Sequence, residues 1–155
     1  ASGYSDGTFR PNVAITRAEF AVMLVKALGI QGEGAELRFS DNPAIGNWAK
    51  DEIALAVKAG IISGYSNGTF RPNALITRAE MAVMLANAQH AKLESGASTT
   101  FADDAEIPAW SKGAIRAIAE QGIVQGRGGN RYAPMGTASR AEAIVVLLKL
   151  ARIVN

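Results

Sequence analysis

A ten-residue phrase recurs in this chain, and internal recurrence constrains a fold more tightly than any other sequence feature. Gly3-Tyr4-Ser5-Asp6-Gly7-Thr8-Phe9-Arg10-Pro11-Asn12 returns 61 residues later as Gly64-Tyr65-Ser66-Asn67-Gly68-Thr69-Phe70-Arg71-Pro72-Asn73. A looser copy, Gly126-Arg127-Gly128-Gly129-Asn130-Arg131-Tyr132-Ala133-Pro134-Met135, follows after another 62 residues. Each copy leads into the same kind of segment: Thr16-Arg17-Ala18-Glu19, Thr77-Arg78-Ala79-Glu80 and Ser139-Arg140-Ala141-Glu142. A second half-motif appears twice, as Phe39-Ser40-Asp41 with Trp48-Ala49-Lys50 and as Phe101-Ala102-Asp103 with Trp110-Ser111-Lys112. Its first counterpart would precede Ala1. The sequence therefore reads as two full repeats and the second half of another, and the period predicts about 25 further residues of natural chain upstream. Polar, Gly- or Ser-rich stretches at 31–38 and 92–100 separate the units. The expected units are 1–30, 39–91 and 101–154, together forming one domain.

Each full unit reads as helix, loop, helix. The first helix is expected from about Trp48 to Ala59, with Ile53, Ala56 and Val57 at helical spacing. Gly60 and Gly122 stand where a left-handed cap would end it. The pairs Ile61-Ile62 and Ile123-Val124 are expected in the core. Asp6-Gly7 and Asn67-Gly68 are turn dipeptides, and Pro11, Pro72 and Pro134 stop regular structure before the second helix. That helix opens on Thr-x-x-Glu, a capping box in which the Thr oxygen takes the N3 amide and the Glu reaches back to the N-cap amide. Ser139 and Glu142 keep that chemistry. Beyond the cap the helices are apolar nearly all round, the pattern of central helices. The expected fold is all-α: a pseudo-threefold bundle of three such helices, the first helices packed outside.

Composition removes several function classes. There are no cysteines, which excludes disulfides, thiolate metal sites and Cys nucleophiles. The net charge is only +2, with no basic block, so nucleic acid is not an expected partner despite a basic pI. No signal peptide is visible. No uncharged apolar run approaches the ~18–20 residues of a membrane span; the longest stretch, 141–150, is cut by Glu142 and Lys149. His90 stands alone, no metal-ligand cluster recurs, and no nucleophile elbow or phosphate loop is present. The Asp-Gly turns lack the ligand series of a calcium loop. Asp103-Asp104 reads as a cap and turn before the third unit's first helix. No metal, cofactor or enzymatic activity is expected.

The candidate site residues are those the repeat brings back. Arg17, Arg78 and Arg140 occupy the first helical position, where a cation opposes the helix dipole at a cost of about 0.3–1 kcal/mol. One reading is anion capture, with free N-terminal amides and a guanidinium fork making a carboxylate or phosphate site. The other is an inter-repeat salt bridge to an acidic partner such as Asp41 or Asp103. Gly3, Gly64 and Gly126 either meet special backbone angles or let a ligand approach the main chain. Tyr4, Tyr65, Trp48 and Trp110 are candidates to stack on a sugar ring; for the tryptophans, core packing is the favoured alternative.

Phe-x-Asp, Trp-Ala, Gly-Ile-Ile-x-Gly-Tyr, Asp/Asn-Gly-Thr-Phe-Arg-Pro and Ile-Thr-Arg-Ala-Glu together closely resemble the S-layer-homology family, over nearly the whole chain. The resemblance implies a monomeric pseudo-trimer of helical repeats, secreted to the surface of a Gram-positive or related bacterium. There it would anchor a larger protein to a secondary cell-wall polymer, often one ending in pyruvylated N-acetylmannosamine. It also implies that binding residues lie in grooves between repeats, the Arg of Thr-Arg-Ala-Glu among them, here Arg17, Arg78 and Arg140. A pyruvate ketal adds a fixed carboxylate to a neutral sugar, which suits an Arg fork, and an aromatic face can take the ring. The alternative is a self-assembly or protein-interaction module. The third repeat departs from the pattern, with Ser139 for Thr, Arg127 where the second has Tyr65, and no Thr-Phe-Arg run. A groove using that loop is expected to differ, and the groove pairing Arg78 with its neighbours is expected to be the intact one.

Overall fold

The computed structural model describes residues 12–94 and 96–154. Gly3, Tyr4 and the first copy of the loop motif up to Pro11 lie outside the described residues. The described chain is all-α. It contains α1 (Arg17–Leu28), α2 (Lys50–Lys58), α3 (Arg78–Ala88), α4 (Ala109–Glu120) and α5 (Arg140–Val154), with three short 3-10 turns at Asn42–Ala44, Asp104–Glu106 and Gly128–Asn130.

The capping boxes of α1 and α3 form as written in the sequence. Thr16 Oγ1 accepts from the Glu19 amide at 3.0 Å while Glu19 Oε1 accepts from the Thr16 amide at 2.8 Å. Thr77 and Glu80 repeat this at 3.1 and 3.0 Å. In α5 the Glu142 amide donates to Ser139 Oγ at 3.1 Å. Gly60 and Gly122 take left-handed angles, φ 78° and 74°, in the segments that end α2 and α4. The apolar pairs that follow them, Ile61-Ile62 and Ile123-Val124, are buried.

A pseudo-threefold axis is visible in the backbone. Just before each central helix, three short segments hydrogen-bond in a closed ring. The Ile15 amide donates to Ala138 O (3.2 Å), the Ala138 amide to Ile76 O (3.1 Å), and the Ile76 amide to Ile15 O (3.0 Å). No segment is an edge, so the ring leaves none of these amides unpaired. Ile15, Ile76 and Ala138 are fully buried at its centre, continuous with Phe20, Leu24, Met81, Leu85 and Leu150.

The outer helices pack in a way that crosses the sequence repeat. α2 lies on α1 and α4 lies on α3, while α5 packs on α1. Each outer helix thus covers the central helix of the preceding repeat. The face that α2 covers on α1 buries Val22 and Val25. The equivalent residues on α5, Val145 and Leu148, are 48% and 58% exposed, because no outer helix covers α5 among the described residues.

Two sequence expectations are corrected here. Trp48 and Trp110 are not core residues; they are 59% and 58% exposed, on the outer side of their helix starts. Asp103 is not a side-chain cap. Its two oxygens accept from the Tyr132 amide (2.8 Å) and the Ala133 amide (2.9 Å). Asp41 does the same for Phe70 and Arg71, at 2.9 and 2.8 Å. The Asp of Phe-x-Asp therefore ties the first half of a repeat to its own loop. Asp104 instead takes the Thr99 amide and hydroxyl, both at 2.7 Å.

Burial alone would raise the Asp103 carboxyl, but the amides of Tyr132, Ala133 and Asp103 itself, with the charge of Arg131, together outweigh it and hold it below its ordinary value of 3.8. A lowered carboxylate stabilises the fold fully above the unfolded value and loses that contribution as pH falls through the folded one. Asp103→Ala is accordingly expected to cost about 2–4 kcal/mol at pH 7, the scale of two amide bonds to a buried charge. The gap in thermal midpoint between wild type and variant should hold from pH 7 to 5 and close below about pH 4. A gap that widened in acid would refute this role.

Candidate functional site

The three arginines that follow the caps are buried, and each points across a repeat boundary. Arg17 Nε donates to Phe70 O at 2.9 Å, and its Nη1 lies 3.1 Å from Glu80 Oε2. Arg78 is 1% exposed. Its Nε donates to Tyr132 O and its Nη2 to Gln125 O, both at 2.7 Å, while Nη1 pairs with Glu142. Arg140 Nη2 is 3.5 Å from Glu19 Oε2. The three pairs close a second ring around the axis: Arg17 to Glu80, Arg78 to Glu142, Arg140 to Glu19. Glu19 and Glu80 each cap their own helix with one oxygen and hold the preceding arginine in the ring with the other.

The salt-bridge reading of these arginines is therefore present in the fold, but with a different acid. The partner is the capping-box Glu, not Asp41 or Asp103, whose oxygens are spent on loop amides. The helix N-termini are closed as well. The amides of Arg17 and Ala18 donate to Ala74 O and Pro72 O at 2.9 and 3.1 Å, and those of Arg78 and Ala79 to Gly136 O and Pro134 O at 2.8 and 2.9 Å. With the third amide held by the Thr oxygen, no N-terminal amide of α1 or α3 is left for an anion. Burial lowers the pKa of Arg78 from its ordinary value, against the pull of Tyr132 and Asp103.

Two junctions where a loop meets the arginine of the preceding repeat lie among the described residues, and their pairing differs from expectation. The loop 64–73, with the full motif, faces Arg17. The diverged loop 126–135 faces Arg78. The groove beside Arg78 is thus the altered one.

In the groove beside Arg17, the Tyr65 ring has two guanidinium groups over it, Arg17 at 4.5 Å and Arg71 at 4.1 Å from its centroid. Its hydroxyl donates to Glu80. Burial first, and that bond second, push the phenol up to about 12. Phe70 stacks on Phe39 at 5.4 Å. An Asx turn shapes the loop, with Asn67 Oδ1 accepting from the Thr69 amide at 3.1 Å. A sugar ring stacking on Tyr65 would have to share that ring with two cations already on it.

Beside Arg78 the parts are exchanged. Tyr132 stands where the other loop has Phe70, under the Arg78 guanidinium at 4.3 Å, and its hydroxyl donates to Arg78 O at 2.9 Å. Arg127 stands where the other loop has Tyr65. It donates to Thr137 O at 2.7 Å and reaches Glu142 Oε1 at 3.5 Å.

The loop glycines serve the loop. Gly64 sits at φ 81°, and a Cβ there would lie 2.6 Å from Phe39 Cε1. At Gly126 it would meet Arg131 O at 3.1 Å and Phe101 Cε1 at 3.2 Å. What crowds both positions is the protein itself. Trp110 lies apart from these arginines in the contacts, lining a cleft of about 400 Å³ with Leu93, Ile107 and Lys112. His90 is exposed at the end of α3. No group of three or more potential metal ligands occurs among the described residues, and no described helix is long and apolar enough to cross a membrane. Sequence reasoning missed Arg71, Glu80 and Glu142 as groove residues, although all lie inside the motifs that repeat.

Comparison with known proteins agrees with this architecture. The family model described as S-layer homology domain matches residues 1–21, 38–82 and 100–144. An amylopullulanase of Thermoanaerobacterium thermosulfurigenes is 39% identical over 152 residues, which are 96% of this chain and 8% of that protein. An S-layer protein of Bacillus thuringiensis subsp. finitimus is 34% identical over 152 residues, 96% of this chain and 18% of the relative. A cellulosome-anchoring protein of Acetivibrio thermocellus is 38% identical over 104 residues, 65% of this chain and 23% of the relative. The chain thus spans less than a quarter of the length of each of these relatives, which range from an amylopullulanase to an S-layer protein.

Proposed function

The chain belongs to the S-layer homology domain family, and from that premise we propose that it is a non-catalytic cell-surface anchor. Its grooves bind a secondary cell-wall polymer of the pyruvylated N-acetylmannosamine type, and its threefold arrangement is internal, so one chain suffices. The observation that carries the reading is the contact between the first two repeats, where two guanidinium groups lie on the Tyr65 ring beside a loop shaped by Gly64. Such a groove suits a ring that bears a carboxylate. The spread of relatives supports the anchoring part. Similarity across proteins as different as an amylopullulanase and an S-layer protein is expected of a module that places other domains rather than performing their chemistry.

The chain should be retained by wall sacculi stripped of protein, and retention should fall sharply once pyruvate is removed from the polymer by mild acid. Equal retention before and after would remove the carboxylate from the reading. No retention on either would favour the alternative, a protein-interaction module. The exposed Val145, Leu148, Ile153 and Val154 on α5 are the observation on which that alternative rests.

A further inference from the structure

We propose that Arg71, not the buried Arg17, is the ligand-facing cation of the groove with the full loop motif, and that the groove beside Arg78 offers no equivalent. This rests on the glycan-anchoring reading. Arg17 is almost wholly buried, with Nε committed to Phe70 O and Nη1 to Glu80. Arg71 is exposed, and among the described residues no carboxylate pairs with its side chain.

Its head is nonetheless held in place. The Arg71 amide donates to Asp41 Oδ2 at 2.8 Å, the backbone is left-handed at φ 58°, and the guanidinium lies 4.1 Å from the Tyr65 centroid. Tyr65 is itself fixed through its hydroxyl to Glu80. A guanidinium over an aromatic ring loses solvent from one face and keeps its N–H edge for bonds in the plane. That edge matches a carboxylate bidentately. The charged groups around it are Arg17, Glu80 and Asp41, and both carboxylates already have partners.

The turn itself does not call for arginine. Ala133 holds the same place in the other loop at φ 57°, so the conformation is compatible with a side chain that carries no function. There the second cation comes from Arg127, which is spent on Thr137 O and Glu142. The ligand assigned to the groove beside Arg17 is a saturated sugar carrying a carboxylate, with the carboxylate on Arg71.

The test is calorimetric titration of purified pyruvylated wall polymer into wild type, Arg71→Ala, Arg71→Gly and Arg127→Ala. Arg71→Ala should weaken binding by at least about tenfold, the scale of a lost charge-assisted bond, and Ala133 shows that alanine is tolerated in this turn. Arg71→Gly should bind as weakly while unfolding no earlier than wild type, since glycine relieves the left-handed backbone. Arg127→Ala should lose far less affinity than Arg71→Ala. On polymer stripped of pyruvate, wild type and Arg71→Ala should bind alike. Wild type that binds while Arg71→Ala binds equally well overturns this assignment and leaves the anchoring reading standing. Arg127→Ala losing as much as Arg71→Ala overturns the asymmetry between grooves. Wild type that fails to bind the native polymer overturns both readings.

Discussion

Arg78→Ala is expected to destabilise the module by about 3–5 kcal/mol, the cost of breaking a buried ion pair from one side, or about 6–20 °C in thermal midpoint for a domain of this size. The side chain is nearly inaccessible. Removing it strands the carbonyls of Tyr132 and Gln125, leaves Glu142 without its buried partner, and empties the space under the Tyr132 ring. Burial already disfavours the charged guanidinium, so the pair is held by its geometry rather than by any gain from burying charge. Two further variants separate these contributions. Arg78→Met should lose less, because it refills part of the space. Adding Glu142→Gln to it should recover part of the stability, because the carboxylate that lost its buried partner, left with only Arg127 at 3.5 Å, is then gone. A thermal midpoint for Arg78→Ala within about 2 °C of wild type, which is under about 1 kcal/mol, would show that the ring of pairs contributes nothing. The expected destabilisation means that lost glycan binding in Arg78→Ala says little about contact with glycan until folding has been measured.

Phe70→Ala is expected to cost a similar amount, about 3–5 kcal/mol, as for other buried aromatic truncations, and also to abolish binding in the groove beside Arg17. Phe70 is fully buried within a loop, stacked on Phe39 and lying under the Arg17 guanidinium at 5.0 Å. Its carbonyl holds Arg17 and its amide is held by Asp41. Loss of the ring therefore loosens Arg17, Tyr65 and Arg71 together. Phe70→Tyr should be tolerated, because Tyr132 occupies the equivalent place and directs its hydroxyl to the carbonyl of Arg78. Urea unfolding combined with polymer binding checks both variants. Phe70→Ala with native stability and native affinity would refute the groove as described.

Much of this structure was legible because its determinants are local. A capping box needs residues three apart, and the left-handed ends at Gly60 and Gly122 need one residue each. The apolar pairs after those glycines entered the core as their composition required. The exposed tryptophans were misread because an aromatic at a helix start says nothing about what packs beside it. Among the described residues, more than half of the surface of Trp48 and of Trp110 stays open. The role of Glu80 and Glu142 was half legible. Their place at the cap is a local matter, whereas the pairing of each with an arginine 63 or 64 residues away is not.

By itself the sequence determined the repeat, the helices and their caps, and the family. Those depend on spacings of a few residues, or on one phrase recurring. Only the tertiary structure decided which loop meets which arginine. Each helix leads away from its own loop, and the ring of backbone bonds sets its first turn against the loop of the next repeat, Arg17 N to Ala74 O and Arg78 N to Gly136 O. The intact motif therefore serves Arg17 and the diverged one serves Arg78, a partnership fixed by how the three segments close around one axis.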